Sequence, residues 1–154
     1  MAIIKLTARD TDWVWHVRNE AILAGCAQVY DAKSLAIWTP DEVPIGFSEL
    51  VTTGFYGIKI DNEIAAVGML DEHTRKIEGL FVLPEFMGRG VGKQLLSYLE
   101  RLALEHRINE LHLDASLNAE AFYQRCGYQS VRRETYHSPS GISLPSVLMR
   151  KRLR

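Results

Sequence analysis

The sequence predicts an α/β fold built on a mixed, mostly antiparallel sheet. Residues 76–83 (KIEGLFVL) form an apolar run that reads as a strand buried on both faces, closed by Pro84, which has no ladder donor. Behind it, Val91, Leu95, Leu96, Leu99, Leu102 and Ala103 recur at helical spacing. Residues 110–115 then form another strand with Leu111 and Leu113 on one face, so that strand, crossover helix and strand make a parallel pair. Turn signals between the other strands predict antiparallel pairing.

From the start, residues 3–8 read as a strand, and Asp10, Thr11 and Asp12 offer caps for a helix beginning near Trp13. Val14, Val17, Ala21 and Ile22 form its inward stripe. A second helix over 33–38 stops at Thr39 and Pro40, because proline is excluded from helix interiors. Residues 41–44 are loop, and 48–52 add a helical turn before Gly54. Strands over 55–60 and 63–70 flank Asp61 and Asn62, the turn residues of a hairpin, and a second turn at 71–74 leads into the strand at 76. After the long helix the chain turns at 106–109. A further helix follows the strand at 110–115, with Ser116 or Asn118 as its cap and Gly127 as its end. Strands over 128–136 and 144–149 close the chain, joined by the turn-rich stretch 137–141. With no repeat, low-complexity segment or linker in 154 residues, a single domain over 1–154 is expected.

Composition excludes several classes of function. A chain that is 47% apolar and 24% charged has the balance of a soluble globular protein, not a disordered one. A net charge of −1 gives no electrostatic reason to expect nucleic acid or an acidic membrane surface as partner. No apolar run is long enough to span a bilayer, and residues 1–6 (MAIIKL) lack the charged start and long apolar centre of a signal peptide, so a cytoplasmic location is expected. Cys26 and Cys126 show neither a Cys-x-x-Cys pair nor metal-ligand spacing and read as small buried hydrophobes. The five histidines are scattered, so no metal is expected.

The chemistry concentrates in residues 88–93 (GRGVGK), where Gly88, Gly90 and Gly92 alternate at the junction of strand and helix. Glycine there lets the backbone take positive φ and lets a ligand approach without meeting a Cβ. The first helical turn adds free N–H groups and the positive end of the macrodipole, which together favour a phosphate or pyrophosphate. Lys93 is either the partner of that anion or a solvated lysine. A Walker loop is disfavoured, because Met87 and Gln94 stand where it needs Gly and Ser or Thr. For a dinucleotide fingerprint, Asp114 falls where a ribose-binding acid belongs, but the third glycine is misplaced and a proline-containing loop intervenes.

Residues 80–84 (LFVLP), the run 88–93 and the pair Leu95 and Leu96 resemble the central motif of the GNAT superfamily of acyl-CoA-dependent N-acyltransferases. The family signature is R/Q-x-x-G-x-G/A, whose amides cradle the pyrophosphate of coenzyme A. Met87 departs from it at the Arg/Gln position, which removes a side chain from a cradle made mainly of main chain. Residues 116–128 (SLNAEAFYQRCGY) are similar to a second family segment, S-x-N-A-x-x-F-Y-x-x-x-G-F/Y, in the family's order.

The resemblance implies a GNAT-like fold and direct transfer of an acetyl group from acetyl-CoA to a primary amine of a small molecule or a protein. It implies that Leu80, Phe81, Val82, Gly88, Arg89, Gly90, Val91, Gly92, Lys93, Asn118 and Tyr123 bind acetyl-CoA. Tyr123 matches the tyrosine that protonates the departing thiolate, though an aromatic packed beside Phe122 is the plainer reading. Glu78 is the candidate base, because a carboxylate in an apolar strand is costly without a partner or a task, and some family members carry a glutamate there. The plainer reading is an ion pair with Arg75 or another cation. For the acceptor, Trp15, Tyr30, Trp38, Asp31, Asp41 and Glu42 supply aromatic and acidic groups suited to an organic cation, or else a solvated acidic face. The competing functions are a catalytically silent acyl-CoA-binding regulator and a nucleotide-binding oxidoreductase fragment. A homodimer is compatible with all three.

Overall fold

The structure, a computed structural model, describes residues 2–154; Met1, the start of the opening run, lies outside them. Strands β1 (Ala2–Lys5), β2 (Phe55–Ile60), β3 (Glu63–Asp71), β4 (Lys76–Val82), β5 (Glu110–Ser116), β6 (Gln129–His137) and β7 (Ser143–Arg152) form one sheet in the order β1-β2-β3-β4-β5-β7-β6. Only β4 and β5 are parallel; every other neighbour is antiparallel. Helices α1 (Thr11–Cys26), α2 (Ala32–Trp38) and α3 (Phe47–Gly54) precede the β2–β3 hairpin, α4 (Val91–Glu105) links β4 to β5, and α5 (Glu120–Arg125) precedes β6.

The hairpin between β2 and β3 is tight because Asp61 and Asn62 both take positive φ, at 51° and 67°. One face of the sheet carries Ile77, Leu111, Leu113, Ala115, Val147 and Met149 against Leu96, Leu99 and Ala103 of α4. The other buries Val67, Met69 and Phe55 under Val14, Trp15 and Val17 of α1 and Phe47 and Val51 of α3. The expected stripe of α1, Val14, Val17, Ala21 and Ile22, is buried throughout. At its start, Asp10 accepts hydrogen bonds from the N–H (2.9 Å) and hydroxyl (3.3 Å) of Thr7 and so braces the 3-10 turn Ala8–Asp10 before α1.

Three expectations change. The strand at 76–83 is not buried on both faces: Glu78 is exposed and Leu80, Phe81 and Val82 are half-buried, because β5 leaves their flank. Neither Ser116 nor Asn118 caps α5 with its side chain. The N-cap is Ala119, whose N–H donates to the Ser116 carbonyl at 2.9 Å. The last strand runs to Arg152, three residues past its expected end at 149, since Lys151 Nζ donates to Glu100 Oε1 (3.0 Å) and to the Cys126 carbonyl (2.8 Å). Tyr128 Oη donates to the other oxygen of Glu100 at 2.9 Å, so one carboxylate ties the end of the sheet to α4.

α4 lies close to β3 because Gly68 has no side chain: a Cβ there would stand 3.1 Å from Leu99 Cδ1 and 3.2 Å from Leu80 Cδ1 and Leu95 Cδ2. Gly68→Val is therefore expected to lower stability by about 1–3 kcal/mol through overpacking. Gly68→Ala should cost less. Urea denaturation checks both, and an unchanged midpoint for the valine variant would show that α4 is not held against this position.

Candidate active site

The site begins where the sheet divides. β4 and β5 share one pairing, Lys76 with His112, supported by the His112 N–H donating to the Arg75 carbonyl at 3.1 Å. Beyond that point the strands diverge, and the flank of β4 from Glu78 to Val82 has no strand beside it. The divergence has a local cause in β4. Met69 pairs with Gly79 and Leu70 with Ile77, which leaves Glu78 as the extra residue of a β-bulge. A bulge bends its strand and re-aims the side chain it inserts.

Glu78 is thus not the buried carboxylate that an apolar strand suggests. Its side chain is 38% exposed, and Oε1 lies 3.4 Å from Nζ of Lys76, which also meets Asp114 Oδ2 at 2.9 Å. The cation beside it is Lys76, not Arg75. Burial disfavours charge on Lys76, but the hydrogen bond to Asp114 and the attraction of both carboxylates outweigh it and raise its pKa above the ordinary lysine value. A lasting positive charge therefore stands at the fork of the two strands. Lys76, His112 and Asp114 also line an open groove of about 510 Å³ that extends to Arg132, Glu134 and Arg150.

At the open end stands the glycine turn. Gly88 and Gly90 take φ of 78° and 77°, and a Cβ on either would meet nothing within 4 Å. Gly90 is the N-cap of α4, so the N–H groups of Val91, Gly92 and Lys93 head the helix, and the first bond back to the cap comes from Gln94 at 3.1 Å. Gly92 serves differently: it is buried inside the helix, and a Cβ there would lie 3.2 Å from Val82 Cγ2. Val91 points into the core with Ile58, Ala66 and Leu95, leaving only its amide for a ligand. Lys93 is exposed, Met87 is exposed, and the Arg89 guanidinium lies 5.3 Å from the centre of the Phe86 ring. Leu80 and Val82 pack toward α4, whereas Phe81 packs on the opposite face near α1.

On the far side of the wedge, Tyr123 is buried, with its ring edge-on to Phe122 and Tyr128. Burial pushes its phenol well above the ordinary tyrosine range, so it is a proton donor throughout neutral pH. Its hydroxyl makes no hydrogen bond among the described residues. Phe122 is half-buried and reaches Gly92, and although adjacent in sequence the two rings meet edge-on with centroids 5.2 Å apart, so Tyr123 does pack beside Phe122. Asn118 Oδ1 accepts a hydrogen bond from Cys26 Sγ at 3.3 Å, which ties this segment to the end of α1. Cys26 is buried as expected, with its thiol pKa raised by burial; Cys126 is only half-buried.

The aromatic groups of α1 and α2 do not form a free cage for a cation. Trp15 is buried, its Nε1 donates to the Pro40 carbonyl at 2.7 Å, and its ring carries the guanidinium of Arg18 at 4.3 Å. Tyr30 Oη donates to the Pro145 carbonyl at 2.7 Å and accepts from the Leu117 N–H at 3.1 Å. Asp31 caps α2 by accepting from the Ser34 N–H at 2.8 Å, while Asp41 and Glu42 are exposed. Sequence reasoning missed Lys76 as the partner of Glu78, for which their alternation along the strand was a signal, and weighed Asp114 only as a ribose-binding acid; nothing in sequence brings Asp114 to Lys76 or Arg18 onto the Trp15 ring.

Among the described residues, no group of three His, Cys, Asp or Glu side chains is placed to hold a metal ion, and no helix is long and apolar enough to cross a membrane.

This arrangement has close parallels. The backbone matches a GCN5-related N-acetyltransferase from Rhodopseudomonas palustris with a TM-score of 0.90 over 98% of this chain and 94% of that one, at 23% identity. It matches PaiA N-acetyltransferase from Thermoplasma acidophilum, solved in complex with coenzyme A, with a TM-score of 0.77 over 98% of both chains at 19% identity. In sequence it is 28% identical over 130 residues to an aminoglycoside N(6′)-acetyltransferase type 1 of Salmonella typhimurium, covering 81% of this chain and 83% of that protein. It is 32% identical over 81 residues to YyaT of Bacillus subtilis, 53% of this chain and 52% of that one; the chain spans about half the length of the two Bacillus subtilis relatives it matches. The family model for the acetyltransferase (GNAT) family matches residues 2–128, from β1 through the glycine turn to the end of the second motif, and the chain belongs to that family.

Proposed function

We propose that the chain transfers the acetyl group of acetyl-CoA directly to a primary amine. The observation that carries this reading is the single pairing between β4 and β5, with an unobstructed glycine turn at the mouth of the gap it leaves. The amides of Val91, Gly92 and Lys93 would take the pyrophosphate, with Arg89 and Lys93 beside it. Main-chain groups of Leu80, Phe81 and Val82, freed on one flank, would hold the pantetheine arm and the thioester oxygen. These residues fit the group, since a Cβ at Gly88 or Gly90 would project into the space the phosphates need.

An alkylamine with a pKa of about 10.4 is almost fully protonated at pH 7 and must lose a proton to attack. Glu78, turned out of the strand by its bulge and open to water, would accept that proton through a bridging water. Lys76, itself paired with Asp114, holds its side chain at the fork. Tyr123, kept protonated by burial, would hydrogen-bond the sulfur as charge gathers there. Asn118 would steady the arm from the side of α1. The test is calorimetry with acetyl-CoA and NAD beside a thiol-release screen over amines. Binding of NAD without acetyl-CoA would overturn the reading, and tight acetyl-CoA binding with no turnover would make the protein a sensor.

Gly90→Val should weaken coenzyme A binding well over tenfold. A Cβ there would meet nothing within 4 Å, so the main cost to the fold is the backbone strain at φ 77°, about 1–2 kcal/mol or more for a β-branched residue. Unchanged affinity by calorimetry would remove the turn from the site. Glu78→Gln should lower turnover most near neutral pH and recover as rising pH deprotonates the amine in solution, with acetyl-CoA affinity preserved. A uniform loss at every pH together with a lower melting temperature would mark the residue as structural. Tyr123→Phe should reduce kcat by about 10²-fold, the low end for an acid catalyst, because a thiol pKa of about 8.5 already makes thiolate a tolerable leaving group. Its dissociation constant for acetyl-CoA should stay near wild type; wild-type kcat in the variant would leave Tyr123 as a packing residue.

A further inference from the structure

The aromatic cluster of α1 and α2 holds a cation that belongs to the protein, and that cation lacks a counter-charge. Arg18 is half-buried, with its guanidinium 4.3 Å from the centre of the Trp15 ring and 5.8 Å from that of Trp38. Its protein acceptors are neutral. Nη1 donates to Asn19 Oδ1 at 2.7 Å and to the carbonyl of Trp38 at 3.0 Å. Among the described residues no carboxylate lies within ion-pair distance of it, and Nε and Nη2 make no hydrogen bond. Burial lowers its pKa to about 10, so it still carries its charge at neutral pH, and the neighbour that opposes this shift is Tyr136, not an acid. A charge removed from water without a partner is costly, and a guanidinium edge offering Nε and Nη2 matches a carboxylate with two parallel hydrogen bonds.

Two further observations point the same way. Nε1 of Trp38 is a buried donor with no acceptor among the described residues, in the cluster where the Trp38 ring lies 5.9 Å from that of Tyr136. Arg18 also sits four residues before Ile22, about 6 Å along α1, and Ile22 belongs to the apolar cluster that Phe81 joins from β4. The unneutralised cation is thus on the helix that packs against β4 through Phe81, on the face of the sheet away from α4.

We propose that Arg18 binds a carboxylate of the acceptor, so that the preferred substrate is an amine that also bears a carboxylate, as an amino acid does, and not a polyamine or an aminoglycoside. This rests on the acetyltransferase reading for the amine end only. The Trp38 carbonyl closes α2, so Arg18 also steadies that helix end, and the test has to separate the two roles.

The experiment compares matched amines, L-phenylalanine with phenethylamine and L-lysine with cadaverine, in the wild-type protein and in Arg18→Met and Arg18→Lys. Wild type is expected to show kcat/KM at least tenfold higher for each carboxylate-bearing member. Arg18→Met should remove that preference, chiefly by raising KM, while changing the decarboxylated partners less than twofold and leaving the dissociation constant of acetyl-CoA unchanged. Arg18→Lys keeps the charge without the fork and should retain part of the preference, which keeps the test decisive if the methionine variant unfolds. Equal kcat/KM within each pair in the wild type, or an equal loss on both members in the variants, would overturn the proposal. Tryptophan fluorescence gives a readout apart from turnover, since Trp15 and Trp38 flank Arg18. Quenching by L-phenylalanine or L-lysine that depends on Arg18, with no amine acetylated, would leave this inference standing and remove the acetyltransferase reading; turnover without dependence on Arg18 would do the reverse.

Discussion

The site depends on two parallel strands that meet at one residue pair and then part. Backbone N–H and C=O groups in a sheet are normally paired on both flanks, and leaving a flank of β4 open is unfavourable unless water or another chain of polar groups takes the place of the missing strand. The fold sustains the opening because each side is anchored separately. β4 is held by β3 along its whole length, and β5 is held by β7 over seven consecutive pairs from Glu110 to Ser116. The gap is therefore bordered by two separately anchored half-sheets, so the open flank of β4 persists without a strand to fill it.

Electrostatics follow the same division. The turn at Gly88 and Gly90 presents helix amides on the α4 side, where an anion is favoured. The fork itself holds Lys76 between two carboxylates, and the α1 side carries Arg18 among aromatic rings. Two positive regions thus stand on either side of the wedge with carboxylates between them, which suits a donor with phosphates on one side and an amine drawn toward Glu78 from the other. Under the role proposed for Arg18, a fully basic acceptor would be a poor match for the α1 side.

Much of this was legible in the sequence, because it is encoded locally. The glycine spacing marked the head of α4, the apolar periodicity marked its buried face, and Asp61 with Asn62 marked the hairpin. The two motifs were sufficient for the family. What escaped was everything that depends on register between distant strands. The bulge at Glu78 arises from how β4 lies on β3, so an apolar pattern read along β4 alone placed that carboxylate in the interior. Asn118 looked like a cap because caps are local, whereas its partner is Cys26, 92 residues earlier in the chain. Trp15, Tyr30 and Trp38 read as a cation site on composition; only the tertiary packing reveals that Arg18 already fills it.

The order of the strands bears on how the chain is made. β7, the last in sequence, is an interior strand lying between β5 and β6, and it contributes Val147 and Met149 to the core beneath α4. During synthesis, β1 to β4 and α4 emerge first and can assemble from nearby segments, whereas β5 has no antiparallel neighbour until residues 143–152 arrive. Until then β6 has no place in the sheet, and the nascent chain presents one apolar face of β5 and an unfilled edge. Folding of the β1–β4 half is thus separated in time from closure of the sheet, and the β5 border of the wedge is fixed only when β7 pairs with it.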